Sequence, residues 1–233
     1  MQFEYREVHL GKHFTLTASD SHQLGAYRAD PAGKPKGGMV VIQEIFGVNQ
    51  HIRAVCDKFA SEGYVAVAPA LFDRTQKDYQ SGYTPPEIEK SRTFVAKPDW
   101  DAMMRDTDAA IKDLKGVGPV GIIGFCMGGT IAFLAATRLS GLSAAVGYYG
   151  GRIAAFADEK PRCPVQLHFG EKDASIPMTD VETIKQKRGG DSEIYVYPEG
   201  GHGFHCDERG SFHAPSRDLA WSRTTAFLAK HMK

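Results

Sequence analysis

Cys126 stands at the centre of Gly124-Phe125-Cys126-Met127-Gly128, where glycines flank a potential nucleophile two residues before it and two after it. Residues 120–123 predict a short buried strand, and the small apolar residues from position 128 predict a helix. A sharp turn between them strains its central residue, and larger flanking side chains would collide with the neighbouring elements. Such a turn presents a cysteine above a helix N-terminus, which favours its thiolate. A buried structural cysteine in a glycine-rich turn is the alternative.

Two further residues could complete a catalytic set with this cysteine. Asp173 and His202 each follow a predicted strand, in Gly-Glu-Lys-Asp and Gly-Gly-His-Gly. In this set Cys126 would attack an acyl carbon, His202 would relay protons, and Asp173 would fix the imidazole tautomer and stabilise its charged form. Taken separately, Asp173 could be a turn residue and His202 a hydrogen-bonded loop histidine. Their joint placement favours a triad.

The elements that must position these side chains follow a repeated strand–helix order. Residues 14–29 alternate around Ser19-Asp20-Ser21 and predict an antiparallel hairpin at a sheet edge. From Met39 onward, continuous apolar runs predict strands buried on both faces, and helical patterns separate them. We therefore predict an α/β fold, a mostly parallel doubly wound sheet with helices on both faces. The predicted strands are 39–42, 64–68, 120–123, 144–149, 165–169 and 193–197, and the predicted helices are 52–62, 101–115, 178–187, 214–231 and the one from 128.

One segment interrupts this order. Residues 72–98 contain Pro85-Pro86, Gly82, several aromatic residues and mixed charges. A loop of this length in a compact domain is usually functional or partly helical. It is the candidate for a cap or lid within a single domain spanning residues 1–233, and a solvated insertion without a role is the alternative.

Composition limits the partners and the compartment. The chain has 233 residues, 42% of them hydrophobic, and a formal net charge of zero, so nothing in its bulk charge indicates nucleic acid or an anionic membrane as a partner. Four cysteines without a C-x-x-C pair indicate reduced thiols. Residues 1–6 lack the basic start of a signal peptide, and no apolar run approaches a membrane span. We expect a soluble, cytoplasmic monomer acting on a small molecule.

The motifs together resemble a known family. They are Gln-Glu-Ile-Phe-Gly at 43–47, Pro-Ala-Leu-Phe-Asp-Arg at 69–74, Gly-Phe-Cys-Met-Gly-Gly at 124–129, Gly-Glu-Lys-Asp-Ala at 170–174 and Gly-Gly-His-Gly-Phe at 200–204. In this order the chain resembles the dienelactone hydrolases, or carboxymethylenebutenolidases, from about Met39 to the C-terminus. The resemblance implies an α/β-hydrolase fold, in which nucleophile, acid and histidine follow in this order along the chain.

The resemblance also implies roles that spacing alone does not give. In the family, the glutamate matching Glu44 lies near the thiol and helps to generate the thiolate once substrate enters. A desolvated carboxylate is a stronger base, which suits this task. The alternative is a strand-end carboxylate that caps a turn. The backbone N–H groups of Ile45 and Met127 match the family's oxyanion hole.

A substrate carboxylate has expected anchors as well. Arg74 matches an arginine with which the family holds this anion, and a guanidinium can grip a carboxylate through two parallel hydrogen bonds. Phe46 is expected to contact the substrate too. The second anchoring arginine of the family is replaced here by Cys206. Arg209 or His205 could reach the same anion, and a surface role for Arg209 is the alternative.

Histidines and a cysteine near the C-terminus could be mistaken for a metal site. His202, His205, Cys206 and His213 lack the paired spacing of structural zinc, and His202 already has a place in the triad. We therefore expect no metal and no cofactor.

The sequence thus predicts a hydrolase that opens an enol lactone or cleaves an activated ester through a Cys126 thioester. Cysteine narrows the substrate class, because a thiolate leaves a tetrahedral intermediate more readily than an ordinary alkoxide, whereas an enolate leaves readily enough. A carboxylesterase or thioesterase acting on other acyl compounds is the nearer alternative. A non-catalytic ligand-binding or redox-sensing protein is the more distant one, and an intact Asp173 and His202 argue against it.

Overall fold

A single sheet of eight strands organises the computed structural model, which describes residues 11–233. Residues 1–6, on which the expectation of no signal peptide rests, lie outside the described part. The strand order is β1-β2-β4-β3-β5-β6-β7-β8. The strands are β1 Lys12–Thr17, β2 Gln23–Ala29, β3 Gly37–Ile42, β4 Tyr64–Pro69, β5 Val120–Phe125, β6 Ala144–Tyr148, β7 Val165–Gly170 and β8 Ser192–Tyr197.

Helices cover both faces of this sheet. On one face α1 packs against α7 through the rings of Phe59 and Trp221, whose centroids lie 5.2 Å apart, whereas α3 packs against α4 on the other. The helices of residues 11–233 are α1 Gln50–Ser61, α2 Pro85–Phe94, α3 Trp100–Asp113, α4 Met127–Arg138, α5 Ile153–Phe156, α6 Met178–Arg188 and α7 Ala214–His231. None of them combines the length and apolar character needed to cross a membrane.

Within residues 11–233, strand direction changes at one edge of the sheet. β1 and β2 form the predicted antiparallel hairpin, β2 is antiparallel to β4, and β3 to β8 are parallel. Both β3 and β5 are buried along their whole length, as their continuous apolar runs predict. The predicted fold class, a mostly parallel doubly wound α/β sheet, is confirmed.

The connections reverse direction in the middle of the sheet. From β3 the chain crosses to β4 on one side, and it later returns to β5 on the other side. In open α/β sheets, ligands bind beyond the carboxyl ends of the strands at such a switch point. Glu44 follows β3 and Cys126 follows β5, so both residues lie at this position.

The segment 72–98 contains a helix that the sequence pattern did not define. α2 begins after Thr84, whose backbone N–H donates to the Glu87 carboxylate over 3.0 Å, and two prolines open it. Proline suits a first helical turn, because the N–H groups there have no partner within the helix. The Tyr79 and Phe94 rings, 4.2 Å apart between centroids, pack this segment together.

Candidate active site

The turn between β5 and α4 has the strained geometry that its glycines predict. Cys126 adopts φ 55° and ψ −117°, a conformation that costs energy in a residue with a side chain. A Cβ on Gly124 would lie 1.9 Å from the Gly128 carbonyl oxygen, and one on Gly128 would lie 2.5 Å from the carbonyl oxygen of Ile42. The turn is therefore possible only with glycine at both flanks, and it presents the Cys126 side chain at the end of the sheet.

Three side chains form a continuous hydrogen-bonded chain at this turn. The Nε2 atom of His202 lies 3.1 Å from the Cys126 Sγ atom, and its Nδ1 atom lies 2.8 Å from Asp173 Oδ2. The Asp173 carboxylate is completely buried, and its other oxygen accepts the Ser175 backbone N–H over 2.7 Å. The structure thus brings together the three residues that the sequence selects. Such a chain can pass a proton from the thiol to the imidazole and hold the imidazole in one orientation.

The charge on His202 depends on its two neighbours. Burial by itself would lower the pKa of His202, but the Cys126 thiolate and the Asp173 hydrogen bond outweigh burial and raise this pKa to about 10. This raised pKa favours the charged form of His202, which can give a proton to a leaving group.

Two backbone N–H groups border the same cavity as Cys126. Met127 is the first residue of α4, so its N–H has no partner within the helix. Ile45 follows β3, and both residues line the cavity. An oxygen that develops negative charge next to the Cys126 Sγ atom could accept hydrogen bonds from such groups.

Glu44 is buried and held by a cation. Its side chain is 1% exposed, and Oε1 accepts a hydrogen bond from Arg209 Nη1 over 2.9 Å. Tyr83 Oη lies 3.4 Å from the other oxygen. Arg209 is itself only 15% exposed and lies over the rings of Phe46 and Tyr83, so it has no surface role. Arg209 thus balances the charge of the Glu44 carboxylate before any substrate is bound.

The remaining histidine and cysteine candidates lie in different surroundings. His205 packs among the rings of Phe125 and Tyr148, where burial lowers its pKa well below the ordinary value, and it does not line the cavity. His213 lies 2.8 Å from Ser216 at the start of α7. Neither residue therefore joins His202 in a ligand set.

A different group of potential ligand atoms lies behind Glu44. Glu44, His51 and Cys206 are buried, and each offers one ligand atom within 4.8 Å of those of the other two. The Cys206 Sγ atom lies 3.2 Å from Tyr83 Oη, and Arg209 already binds Glu44. These contacts give Glu44 and Cys206 hydrogen-bond partners, whereas the buried Nε2 atom of His51 has none.

A cavity of about 420 Å³ opens above the Cys126 side chain. Its apolar wall comes largely from the loop after β3 and from the segment 72–98, which the structure places beside the site. None of the described residues that line it is acidic. The lining residues are Ile45, Phe46, Ile88, Arg92, Val95, Pro98, Trp100, Cys126, Met127, Thr130, Gly151, Arg152, Ser175, His202 and Arg209.

Comparison with known proteins assigns the family. The family model of the dienelactone hydrolases matches residues 24–232. The chain belongs to the dienelactone hydrolase family. A carboxymethylenebutenolidase from Pseudomonas putida is 31% identical over 227 residues, which cover 92% of this chain and 94% of that protein. A Synechocystis protein provisionally given the same name is 37% identical over 230 residues, 91% of this chain and 93% of the relative.

A solved structure supports the same assignment. The crystal structure of a protein from Klebsiella pneumoniae, provisionally named a dienelactone hydrolase, matches with a TM-score of 0.81 and 33% identity, covering 94% of this chain and 98% of that one. This member of the dienelactone hydrolase family is therefore a carboxylic ester hydrolase with an α/β-hydrolase fold.

Arg74, which was predicted to anchor the substrate, does not line the cavity in this dienelactone hydrolase structure. Its Nε and Nη2 atoms donate to the two carboxylate oxygens of Asp106 over 2.8 and 2.7 Å, and two further hydrogen bonds reach Asp20. These bonds raise the pKa of the Arg74 guanidinium. Because Asp106 in α3 is fully buried, Arg74 supplies its counter-charge. The motif at residues 69–74 is present, but the Arg74 guanidinium links the turn between β1 and β2 to α3.

We expect Arg74→Ala to lower the free energy of unfolding by about 2 to 3 kcal/mol, because it leaves a buried carboxylate without its partner. Urea denaturation measures this loss. Arg105→Ala is the matched control, since it removes another cation from Asp20 but none from Asp106, and it should cost under about 1 kcal/mol. Unchanged stability combined with a selective rise in KM for carboxylated substrates would show that Arg74 anchors the substrate after all.

Sequence reasoning missed several residues of this cavity in the dienelactone hydrolase chain. Arg152, Ser175 and Trp100 line it, and Tyr83 contacts Glu44 from the segment 72–98. A signal for Arg152 was present, because it follows Gly150-Gly151 directly after a predicted strand. No comparable signal marked Trp100, which opens a helix far from the triad in sequence.

Proposed function

We propose that this protein opens enol lactones or cleaves activated, carboxylated esters through a thioester on Cys126. The hydrogen-bonded chain from the Cys126 Sγ atom through His202 to buried Asp173 carries the proposal. Membership of a hydrolase family favours this activity over the alternative of a non-catalytic thiol sensor.

The first half of the reaction forms the thioester. The Cys126 Sγ atom attacks the carbonyl carbon while its proton resides on His202 Nε2. The carbonyl oxygen becomes an oxyanion that accepts hydrogen bonds from the N–H groups of Ile45 and Met127. When the intermediate collapses, the C–O bond breaks and the leaving oxygen takes the proton from His202.

The second half releases the acid. A water molecule gives a proton to His202 and attacks the thioester carbon, and the C–S bond then breaks to return Cys126. Asp173 remains ionised throughout and stabilises the imidazolium at each stage. A simple alkoxide is a poorer leaving group than the thiolate, so a simple alkyl ester returns to substrate, whereas an enol ester or enol lactone proceeds.

Glu44 supplies a second basic group near the thiol in this proposal. At rest its charge is neutralised by Arg209, 2.9 Å away. A substrate carboxylate that enters the cavity competes for the same guanidinium, and Glu44 then loses its counter-ion in a buried environment. A carboxylate without its cation is a stronger base, so thiolate formation is promoted when an anionic substrate is bound.

We expect Glu44→Gln to lower kcat for a carboxylated enol lactone by roughly 10²-fold, because the amide keeps the size but cannot accept a proton. The rate of Cys126 alkylation should also lose part of its pH dependence when an anionic product is present. Steady-state kinetics and timed alkylation at several pH values measure both effects.

Tyr83→Phe is the matched control for this variant, since it removes the other contact of the same carboxylate without changing its charge. The control should retain most of its kcat. If Glu44→Gln behaves like the control in kcat and in the alkylation profile, then Glu44 takes no part in activation.

A substrate screen tests the function as a whole. Purified protein should hydrolyse enol lactones and aryl esters faster than matched alkyl esters, and carboxylated compounds faster than their neutral methyl esters. A preference for thioesters would indicate the alternative thioesterase activity. Equal turnover of charged and neutral compounds would indicate a general carboxylesterase.

The proposed nucleophile also bears on location. All four cysteines, Cys56, Cys126, Cys163 and Cys206, are free thiols. A reaction that depends on a reduced Cys126 is favoured by a reducing compartment. We therefore propose that the protein acts in the cytoplasm.

A further inference from the structure

We infer that Arg152 binds a second anionic group of the substrate, on the side of Cys126 opposite to Arg209, so that the preferred substrate carries negative charge on both sides of the reacting carbonyl. This inference rests on the proposed function and names its substrate class. It assigns to Arg152 a role in substrate specificity.

The sheet order separates the two guanidinium groups. β5, which leads into Cys126, lies between β3 and β6. Glu44, which binds Arg209, follows β3, whereas Arg152 follows β6. Adjacent strands are about 4.8 Å apart, so β3 and β6 are roughly 10 Å apart at the level of the nucleophile. One molecule whose carbonyl lies at the Cys126 Sγ atom can therefore reach a cation on either side.

Charge distinguishes Arg152 from the other arginines of the cavity. Arg209 is neutralised by Glu44 at 2.9 Å, and Arg92 has Glu89 at 3.6 Å. Arg152 is exposed at the cavity, and within residues 11–233 no carboxylate lies at ion-pair distance from its guanidinium. It is thus an uncompensated cation in a wall without acidic residues, which favours an anionic ligand group.

The backbone around Arg152 is held in place although its side chain is exposed. The Arg152 N–H donates to Thr130 Oγ1 over 3.2 Å, and Thr130 is a buried residue of α4, the helix that begins at the nucleophile turn. The short helix α5 follows directly. The position of Arg152 relative to Cys126 is therefore fixed by the same helix that presents the thiol.

The space between the two cations suits a flat unsaturated acyl compound. Phe46, Ile88 and Trp100 contribute apolar surface to the cavity, whose volume of about 420 Å³ is large enough for a small diacid. A guanidinium binds a carboxylate through two parallel hydrogen bonds, which gives each end a defined orientation.

Four chromogenic esters test the inference by placing charge on neither side, on one side or on both. They are 4-nitrophenyl butyrate, mono-4-nitrophenyl glutarate, 3-carboxy-4-nitrophenyl butyrate and mono-(3-carboxy-4-nitrophenyl) glutarate. Arg152→Ala should lower kcat/KM roughly tenfold for the dianionic ester and for only one of the two monoanionic esters, with the neutral ester unchanged. Arg152→Lys should recover part of the lost kcat/KM, because lysine keeps the positive charge. The recovery should be incomplete, because an ammonium lacks the two parallel hydrogen bonds of a guanidinium.

Arg162→Ala is the matched control. Arg162 is also exposed but precedes β7, so it lies toward the opposite edge of the sheet, and its removal changes net charge by the same amount. It should leave all four values of kcat/KM unchanged. An equal loss on all four esters in Arg152→Ala, or no loss on any, would overturn the assignment of Arg152.

A binding measurement separates this inference from the proposed function. Calorimetry gives the Kd of the intact dianionic ester for Cys126→Ala and for Cys126→Ala with Arg152→Ala. The Kd should rise roughly tenfold in the second protein, and the difference should shrink at high salt because an exposed charge is screened. If the wild-type protein hydrolyses no ester, the proposed function fails while the Kd comparison still decides the role of Arg152; an unchanged Kd overturns it.

Discussion

Cys126→Ala should reduce kcat for every ester substrate by a factor on the order of 10⁴ or more while the protein remains folded. The side chain supplies the atom that bonds to the acyl carbon, and no other thiol lines the cavity within the described residues. Little packing is lost, because the Cys126 side chain faces that cavity. Steady-state kinetics on a chromogenic aryl ester measures the loss, and urea denaturation confirms that the fold is retained.

Cys56→Ala is the control for this variant. Cys56 is fully buried in α1, where burial raises the pKa of its thiol well above the ordinary value. Its removal should leave kcat unchanged and lower the free energy of unfolding by about 1 kcal/mol through a small cavity. Turnover close to wild type in Cys126→Ala would remove the cysteine from the chemistry.

His202→Gln should lower kcat by roughly 10³- to 10⁴-fold, because glutamine keeps the polar contacts but cannot carry a proton between the thiol and the leaving oxygen. The pH profile gives a more specific readout. The pKa of His202 is raised to about 10, so its charged form is retained below that pH and lost as the pH rises through it. Wild-type kcat/KM, which reports the ionisation of the free enzyme, should therefore fall only as the pH approaches about 10.

The residual activity of His202→Gln should not show the fall in rate near pH 10. Ser211→Ala is the control, because the Ser211 hydroxyl donates a hydrogen bond to the His202 backbone carbonyl and its loss leaves the imidazole in place. This variant should still show the fall in rate near pH 10. If the fall in rate near pH 10 persists unchanged in His202→Gln, another group gives the proton to the leaving oxygen.

Local patterns predicted much of this site because its chemistry needs particular residues at fixed places. The turn at Cys126 tolerates only glycine at Gly124 and Gly128, and strand ends bring Asp173 and His202 to the same edge of the sheet. The first constraint acts over a few residues and the second acts through strand order. Both can be predicted from a single sequence.

Ion pairs between residues far apart in the sequence could not be predicted in this way. The motif around Arg74 is present, yet only the folded chain shows that buried Asp106, 32 residues later, takes up its guanidinium. Arg209 presents the opposite case: it was a candidate for binding the substrate, with a surface role as the alternative, and in the folded chain it lies over Phe46 and pairs with Glu44. An arginine side chain, with three methylene groups before its guanidinium, can point to the cavity or to a neighbouring helix, and sequence spacing does not decide between these two directions.

The most direct test of the account is to identify the residue that carries the acyl group. Wild-type protein and His202→Gln are mixed with an aryl ester, quenched in acid within the first turnover, digested and analysed by mass spectrometry. We expect one acyl group per chain on the peptide that contains Cys126, released by hydroxylamine as a thioester is. An acyl group on Ser175, which lines the same cavity, or turnover without any acylated Cys126, would contradict it.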